Sequence, residues 1–574
     1  MILASSVDLI VVVIYMVVMV GVGVILSLYN KDASDFFRSG NRMPWWLSGL
    51  SLFMASFSVY TFTGASGLAY RAPAVAFWMY FTNVLGIAFG VIILAKLWRR
   101  SRSTTVMSYL TERYSLSTNQ FYSWSHLGMA VVQGGIMLLA LGKFVAVAMG
   151  TDLTATIIVC GLVVAVYCII GGLWAVAVTD ALQFMVLFPC ALVVLFLALY
   201  EIGGPAHLFT DAPPGFWEFK TQEFDWAYLI AYAIMMFFAM SSGSAAQRYF
   251  SVKNEKEARK VALLTMGFLL VGPIIWLIPP IVTRLANIDL ASITIGLNAP
   301  QEAAYVAFCM KYLPHGAMGI LLAAMLSATM STLSANFNLY AAVITQDIIK
   351  QVFWKEATGK QLLFIGRVVT LVMGALVTIA AIIQAEVKGG VFVLMITISG
   401  VLIVPAGIPI VFGLFYRWTT WWAGLVSFCT GLVIGILYLL LGKNLSFTQQ
   451  IFFAGGISAA IYFIPGLLHK ARGKYRENLD SFFGKLSTPV TAEEVGDTEA
   501  TDVGSFRITG WTTVGMGAAA MMLTFLDIPL AGRMVNLAIS VLMISFGSFL
   551  LIACSIAQRK KRKAAARILK AEIS

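Results

Sequence analysis

Residues 316–347 read GAMGILLAAMLSATMSTLSANFNLYAAVITQD, a stretch long enough to cross a bilayer and free of charge before Asp347. On a helix, its small and polar residues recur at steps of three and four and therefore share one face. Such a face usually serves close packing or bonds back to its own helix. The alternative is a cage of oxygen ligands for a hard, dehydrated cation. The residues of this face are Ala324, Ser327, Ser331, Ser334 and Asn338.

The composition indicates a polytopic membrane protein. Of the 574 residues, 60% are hydrophobic and only 11% are charged, which leaves too little polar surface for a soluble domain. Fifteen apolar runs are long enough to span a bilayer as helices. The predicted spans are 7–29, 45–70, 73–98, 122–150, 152–171, 173–201, 226–249, 258–287, 316–346, 360–384, 388–417, 420–441, 446–468, 508–527 and 530–557.

The net charge of +12 fits either a nucleic-acid surface or a topology signal. With the N-terminus outside and an odd number of spans, most of the 39 Lys and Arg residues fall in cytoplasmic segments. The charge is therefore interpreted as topogenic, with a cytoplasmic C-terminus and no nucleic-acid partner. Lys143 is the basic residue inside a span, and we expect it to snorkel to the outer surface.

Two spans carry interruptions that suggest broken helices. Small, polar and aromatic residues alternate over Met54–Thr61 in span two, and a Ser/Gly run follows at Ser241–Ser244 in span seven. Interrupted helices in matching places of two halves mark transporter sites. The interruptions open two five-span blocks, 45–201 and 226–417. Because five is odd, the second block enters the membrane from the opposite side, as an inverted repeat requires.

A carboxylate lies well inside span six. Asp180 follows the span's start by about two turns, a depth at which a charge is costly unless it is paired or bound to a ligand. A protonated acid that holds two helices together is one interpretation. We favour a role with a cation or proton, because ionisable groups within the membrane are usually functional.

The remaining segments are assigned by composition. The six cysteines have no paired spacing and the four histidines form no metal motif, and no catalytic triad or phosphate loop is present, so no enzyme is expected. A polar linker of little order is expected between the core and a C-terminal hairpin, and the basic tail is expected to rest on membrane lipid. The predicted divisions are 1–44 (extra N-terminal helix and cytoplasmic loop), 45–201 and 226–417 (repeats), 418–468 (two further helices), 469–507 (cytoplasmic linker), 508–557 (hairpin) and 558–574 (tail).

Four stretches resemble the sodium:solute symporter family, which includes the bacterial sodium/galactose and sialic acid symporters and the SGLT proteins. They are TTVMSYLTERY (104–114), GGLWAVAVTDALQ (171–183), AQRYF (246–250) and GILLAAMLSATMSTLSANFNLYAAVITQDI (319–348). The resemblance covers residues 7–468, about thirteen spans. It implies an all-α LeuT-type fold with a 5+5 inverted repeat and flanking helices, about fifteen transmembrane helices in all.

The resemblance also implies a sodium site between spans two and nine. Its ligands would be the backbone carbonyls of Met54, Phe57 and Ala328 and the hydroxyls of Ser331 and Thr332. Some members bind a second sodium, for which the matching residues are Asp180, Ser331 and Ser334. Ala335 departs from that second pattern because it offers no hydroxyl.

Substrate residues implied by the resemblance lie near the broken helices. Phe238 stands where sugar-transporting relatives have a gating tyrosine, and Gly134 stands where the sialic acid branch has an arginine. Tyr80 replaces a glutamate of the galactose symporter. The neutral lining that remains favours a sugar-like solute over a strong acid. The candidates are Ser58, Tyr60, Thr61, Tyr80, Asn83 and Phe238.

The resemblance therefore implies sodium-coupled symport of a small polar solute by a monomer in the bacterial inner membrane. An organic acid such as sialate or a monocarboxylate remains an alternative solute. A proton-coupled carrier that uses Asp180, and a transporter-like sensor, remain alternative functions.

Overall fold

The computed structural model describes residues 4–27, 43–103, 105–170, 173–290, 299–387, 390–441, 446–468, 472–491, 494 and 499–573. Over these residues the chain is helical and has no β-strand. The helices are α1 (Ser6–Ser27), α2 (Trp45–Ala55), α3 (Gly64–Arg71), α4 (Pro73–Ser101), α5 (Val106–Arg113), α6 (Leu116–Met149), α7 (Leu153–Ile170), α8 (Leu173–Glu201), α9 (His207–Thr210), α10 (Trp226–Ser241), α11 (Ser244–Ser251), α12 (Glu255–Leu285), α13 (Ala304–Tyr312), α14 (Ala317–Phe353), α15 (Gly359–Ala385), α16 (Gly390–Phe412), α17 (Ala423–Leu441), α18 (Phe447–Leu468), α19 (Gly473–Ser487), α20 (Glu499–Met521) and α21 (Leu530–Ile573).

Each of the fifteen predicted spans overlaps a helix of the described residues. In the described residues, eleven helices are long and apolar enough to cross a membrane, and the bent pair α2–α3 makes a twelfth. The apolar helices Leu153–Ile169 and Ala423–Tyr438 are shorter. The protein is therefore an all-α membrane protein, while the count of fifteen spans stays a prediction.

The helix α14 lies at the centre of the molecule. Every residue from Gly316 to Ala335 is buried, because α1, α2, α6, α7 and α8 all pack around it. Two hydroxyls of its predicted polar face bond within the helix: Ser327 Oγ donates to the Ala323 carbonyl at 2.7 Å and Ser334 Oγ to the Ser331 carbonyl at 3.0 Å. For these two serines, local bonding and packing account for the polar face.

The first helix is attached to the start of the central helix. One carboxylate oxygen of Asp8, at the beginning of α1, accepts hydrogen bonds from the backbone N–H groups of Gly316 (2.7 Å) and Gly319 (2.8 Å). The first N–H groups of a helix have no partner within it and favour a negative charge. Asp8 therefore caps α14 from about 300 positions away in the chain.

Both predicted helix breaks are confirmed. The axes of α2 and the segment Val59–Arg71 are bent by 51°, and Ser58 between them has extended backbone (φ −144°, ψ 175°). The second break separates α10 from α11 at Gly243, which has φ +56°. A positive φ of this size is readily adopted by glycine.

The predicted lack of order in the linker 469–507 is wrong for residues 473–487, which form α19. Leu479, Phe482 and Leu486, spaced by three and four, are buried against the core. Further along, Glu494 forms an ion pair with Arg102 at 2.7 Å, and the hydrogen bonds from Arg102 lower the pKa of Glu494 to about 2. An amphipathic helix and charge pairs thus dock the first part of this segment.

Candidate sodium and solute site

The break after α2 brings a main-chain carbonyl toward the central helix. α2 ends at Ala55, and the carbonyl of Phe57 accepts a hydrogen bond from the Thr332 hydroxyl of α14 at 2.5 Å. A continuous helix would direct this carbonyl along its own axis. The interruption therefore makes backbone oxygen available to another helix in the membrane interior.

Four of the five predicted sodium ligands meet at Thr332. Its Oγ1 lies 2.5 Å from the Phe57 carbonyl, 3.1 Å from the Ala328 carbonyl and 3.3 Å from the Met54 carbonyl. The hydroxyl has one proton and donates to one carbonyl at a time, so several oxygen lone pairs face the same point. An all-oxygen donor set of this kind suits a hard cation such as Na+.

The fifth predicted ligand, Ser331, points to a different partner. Its Oγ donates to Oδ1 of Asp180 at 2.6 Å, and both residues are fully buried. Because Ser331 is adjacent to Thr332, the carboxylate is one hydrogen bond removed from the oxygen cluster. The role of Ser331 as a fifth ligand stays a prediction.

Asp180 is accompanied by a buried cation that the sequence did not indicate. Its Oδ2 accepts a hydrogen bond from Ser51 and lies 3.7 Å from Nη2 of Arg248. The Arg248 guanidinium also donates Nε–H to Ser51 Oγ at 2.9 Å and Nη1–H to the Gln247 side chain at 3.1 Å. Asp180 and Arg248 are both 0% exposed, so each charge offsets the other where water is excluded.

The residues implied for a second sodium are only partly assembled. Asp180 and Ser331 are in contact, whereas Ser334 donates to the Ser331 carbonyl of its own helix. Ala335 contributes no hydroxyl. Arg248 already supplies positive charge at this carboxylate, which reduces its attraction for a further cation. The second sodium site stays a prediction.

Five of the six predicted solute residues line one cavity of about 220 Å³. Within it, Tyr80 donates to the Thr61 hydroxyl at 2.8 Å, and the Asn83 amide donates to two carbonyls of its own helix, leaving its oxygen free to accept. The cavity also reaches Phe57 and Thr332 of the oxygen cluster. The five are Ser58, Tyr60, Thr61, Tyr80 and Asn83.

The sixth candidate, Phe238, is placed elsewhere. It is buried, and its ring packs against Phe412, with centroids 6.1 Å apart, and against Gly407. It does not appear among the residues that line the 220 Å³ cavity. The resemblance implies a gating position for Phe238, and this role stays a prediction.

Several lining residues were missed by sequence reasoning. They provide a polar group from α6, another from α14, one hydroxyl from α16 and an aromatic wall from α10 and α12. Asn336 belongs to the polar stretch quoted first. Among the missed lining residues, it is the one that the helical spacing of polar residues in that stretch could have indicated. The others are brought in by tertiary packing from distant spans. They are Gln133, Tyr232, Trp276, Asn336 and Ser399.

The expectation that Lys143 snorkels outward is wrong. Its ammonium lies 3.0 Å from a carboxylate oxygen of Glu302, and the two side chains are 7% and 5% exposed. The other oxygen of Glu302 accepts the backbone N–H of Phe392 at 3.1 Å. This buried pair ties α6 to the segments before α13 and at the start of α16.

Comparisons with known proteins identify the family of this chain. The family model of sodium:solute symporters matches residues 36–431. A sodium/sialic acid symporter of Aliivibrio fischeri is 27% identical over 64% of this chain and 74% of its own. A sodium/glucose cotransporter of Vibrio parahaemolyticus is 25% identical over 78% of this chain and 88% of its own.

A solved structure of a Na+-coupled sialic acid symporter, in a substrate-bound outward-open state, matches with a TM-score of 0.69. The match covers 82% of this chain and 99% of that one at 21% identity, so it establishes a shared fold. The protein therefore has the LeuT-type fold and belongs to the sodium:solute symporter family, a membrane transporter that uses Na+ as its coupling ion rather than an enzyme.

Proposed function

We propose that the protein imports a small, neutral, sugar-like solute together with Na+. The observation that carries this proposal is the chemistry of the 220 Å³ cavity. Its described lining offers hydroxyl and amide groups and an aromatic wall, but includes no Asp, Glu, Lys or Arg. Hydroxyl and amide groups recognise a polyhydroxy solute by hydrogen bonds. An anionic solute would find no Lys or Arg side chain in this lining to offset the cost of its desolvation.

Sodium binds in this proposal between the Met54, Phe57 and Ala328 carbonyls and the Thr332 hydroxyl, with Ser331 as fifth ligand. The ion ties α2 to α14 and fixes the break, and residues immediately after the break line the solute cavity. Each ligand then favours the conformation that binds the other, which is the free-energy coupling that symport requires. Inward movement of the ion contributes about 2.3 kcal/mol per charge per 100 mV.

The inverted repeats 45–201 and 226–417 supply the moving parts for alternating access. Each begins with a broken helix, and the two breaks border the cavity through Ser58 and Ser242. Both proposed binding sites lie within one chain, which supports a monomer as the functional unit. The basic loops support a cytoplasmic C-terminus and an outer N-terminus in the bacterial inner membrane.

The alternatives have less support. A sialate carrier is suggested by the name of a relative, but a Cβ at Gly134 would lie 2.8 Å from Val377, so this position faces packed core rather than the cavity. A proton-coupled carrier would use Asp180, which already faces the Arg248 guanidinium. For a transporter-like sensor, no observation in the described residues favours signalling over transport.

Uptake by purified protein in sealed vesicles tests the proposal. We expect an inward Na+ gradient to drive accumulation of one or more radiolabelled neutral polyols from a panel that also contains sialate, lactate and proline. Replacing Na+ with choline at fixed pH should abolish this accumulation, whereas collapsing a proton gradient should not. Accumulation of an acid instead of a polyol, or uptake that is indifferent to Na+, would overturn the proposal.

A further inference from the structure

A second and larger cavity lies on the other side of α2 from the solute cavity. It has a volume of about 450 Å³, within the range of about 300–1,000 Å³ common for ligand sites. Its walls come from α2, α8, α12 and the hairpin α20–α21. The lining is almost wholly apolar and aromatic, and includes Trp46, Phe184, Phe268, Phe506, Phe546 and Phe549.

This cavity opens on the surface that the bilayer covers. Phe549 of α21 lines it and is 67% exposed, and the neighbouring Ile552 is 58% exposed on the outer face of the same helix. In a protein of this class, the medium against these side chains is lipid. An acyl chain is therefore the apolar molecule with direct access to the cavity.

One end of the cavity is polar and positively charged. Lys253 and Glu257 line it there, and the Glu257 carboxylate is paired with Lys260 at 2.8 Å. Within the part of the chain that the structure describes, the Lys253 ammonium has no ion-pair partner. The nearby Lys256 is exposed and does not line the cavity. Basic residues at a membrane surface attract anionic headgroups.

A buried donor beside the same end lacks a partner. The indole N–H of Trp46, which lines the cavity and is 8% exposed, has no hydrogen-bond acceptor among the described residues. The ring is held by stacking on Phe506 of the hairpin, with centroids 4.3 Å apart. This N–H is therefore available to an acceptor that is supplied from outside the chain.

We propose that this cavity binds an acyl chain of an anionic phospholipid, with the phosphate against Lys253 and the Trp46 indole. The appended hairpin completes the site, because Phe506, Phe546 and Leu550 contribute to its wall and Phe546 packs against Phe188 of α8. The site is separate from the solute cavity, and its occupation requires neither Na+ nor solute.

Photolabelling tests this proposal. The full chain is placed in vesicles that contain phosphatidylglycerol with a diazirine on one acyl chain, irradiated, digested and analysed by mass spectrometry. We expect adducts concentrated in 546–553 and 184–188. Ala553→Trp, which fills the cavity, should remove them, whereas the matched variant Ile552→Trp on the outer face should retain them.

The headgroup is tested separately. Lys253→Gln should reduce labelling about fivefold, and the matched change at the exposed Lys256, Lys256→Gln, should leave it unchanged. A phosphatidylcholine probe should label wild type about fivefold less than the glycerol lipid. Adducts spread evenly over lipid-facing residues such as Phe364, or a cavity that stays unlabelled, would overturn the site. Equal labelling by both lipids would overturn the anionic headgroup.

Discussion

At the scale of single residues, Thr332 joins the two helices of the proposed sodium site. We predict that Thr332→Val raises the Na+ concentration for half-maximal uptake by about tenfold or more, since a ligand to a charged group is lost. Ser331→Ala should have a smaller, several-fold effect, because its hydroxyl bonds Asp180 and is not already in the cluster. Sodium titrations of solute uptake measure both.

The matched control is Thr370→Val. Thr370 is also buried, and its hydroxyl donates to the Gly366 carbonyl of its own helix at 2.9 Å. The Na+ concentration for half-maximal uptake by the Thr370→Val variant should stay at the wild-type value. Equal shifts in the Thr332 and Thr370 variants would mean that general loosening of the protein, and not ion ligation, explains the effect.

The buried pair Asp180–Arg248 yields a prediction about stability. Asp180→Asn leaves the guanidinium buried without a counter-charge and should lower the free energy of unfolding by about 3–5 kcal/mol. Adding Arg248→Gln should recover much of this loss. Thermal unfolding in detergent measures both variants, with Asp347→Asn as control, since Asp347 is bonded to Thr105 and Asn119 rather than to a cation.

A double variant as unstable as the single one would contradict a role for charge pairing.

The number of coupling ions is tested independently. The electrical charge that moves with each solute molecule distinguishes one coupling ion from two. That measurement tests the second sodium site, for which Asp180 and Ser331 are in contact but Ser334 is turned to its own helix.

The residues of the site were predictable to different extents. Met54 and Phe57, in the interrupted part of span two, and Ala328 and Thr332, in the stretch quoted first, were implied by the family resemblance, and the fold brings them together. Arg248 lies in one of the resembling stretches, yet its pairing with Asp180 depends on how α8 and α11 meet, which no local pattern contains. The same holds for Lys143, whose partner Glu302 is far along the chain.

At the scale of elements, the break between α10 and α11 depends on backbone conformation. Gly243 has φ +56°, and a Cβ there would meet no atom within 4 Å, so Gly243→Ala tests conformational strain without a steric clash. We predict a loss of about 1–3 kcal/mol in the free energy of unfolding, together with slower uptake because this break borders the solute cavity.

The control is Gly267→Ala in the uninterrupted part of α12, where a Cβ also meets nothing within 4 Å. Helix propensity makes that change neutral or stabilising by about 1 kcal/mol. Thermal unfolding in detergent compares the two. If both alanines behave alike, the left-handed conformation of Gly243 does not matter for the fold.

Helix existence was well predicted, and helix ends were not. Length and apolarity located fifteen segments because the bilayer requires long apolar helices. The same criterion ignores polar extensions, so α14 was ended at 346 although it continues to Phe353. It also missed α19, whose buried side chains at 479, 482 and 486 are separated by charged residues that dominate the composition.

At the scale of the whole molecule, the hairpin α20–α21 lies beyond the family match at 36–431 but packs on the core through Trp46 and Phe188. We predict that deleting residues 499–574 lowers the midpoint of thermal unfolding. The reason is that aromatic side chains of α2 and α8 lose the hairpin side chains that pack against them. The comparison is a chain that ends after Arg559, which keeps α20 and the apolar span Leu530–Ile556 of α21 and should unfold like wild type. Equal midpoints for the two truncations would contradict a stabilising hairpin.

The cap that Asp8 provides for α14 has a consequence for biogenesis. The acceptor is synthesised 308 positions before the Gly316 N–H group that it binds. At about 5–20 residues per second, the ribosome needs about 15–60 seconds to make the intervening chain. During that time Ser5 can bond one carboxylate oxygen of Asp8 locally, whereas the other oxygen gains its partners only after more than half of the chain has been translated.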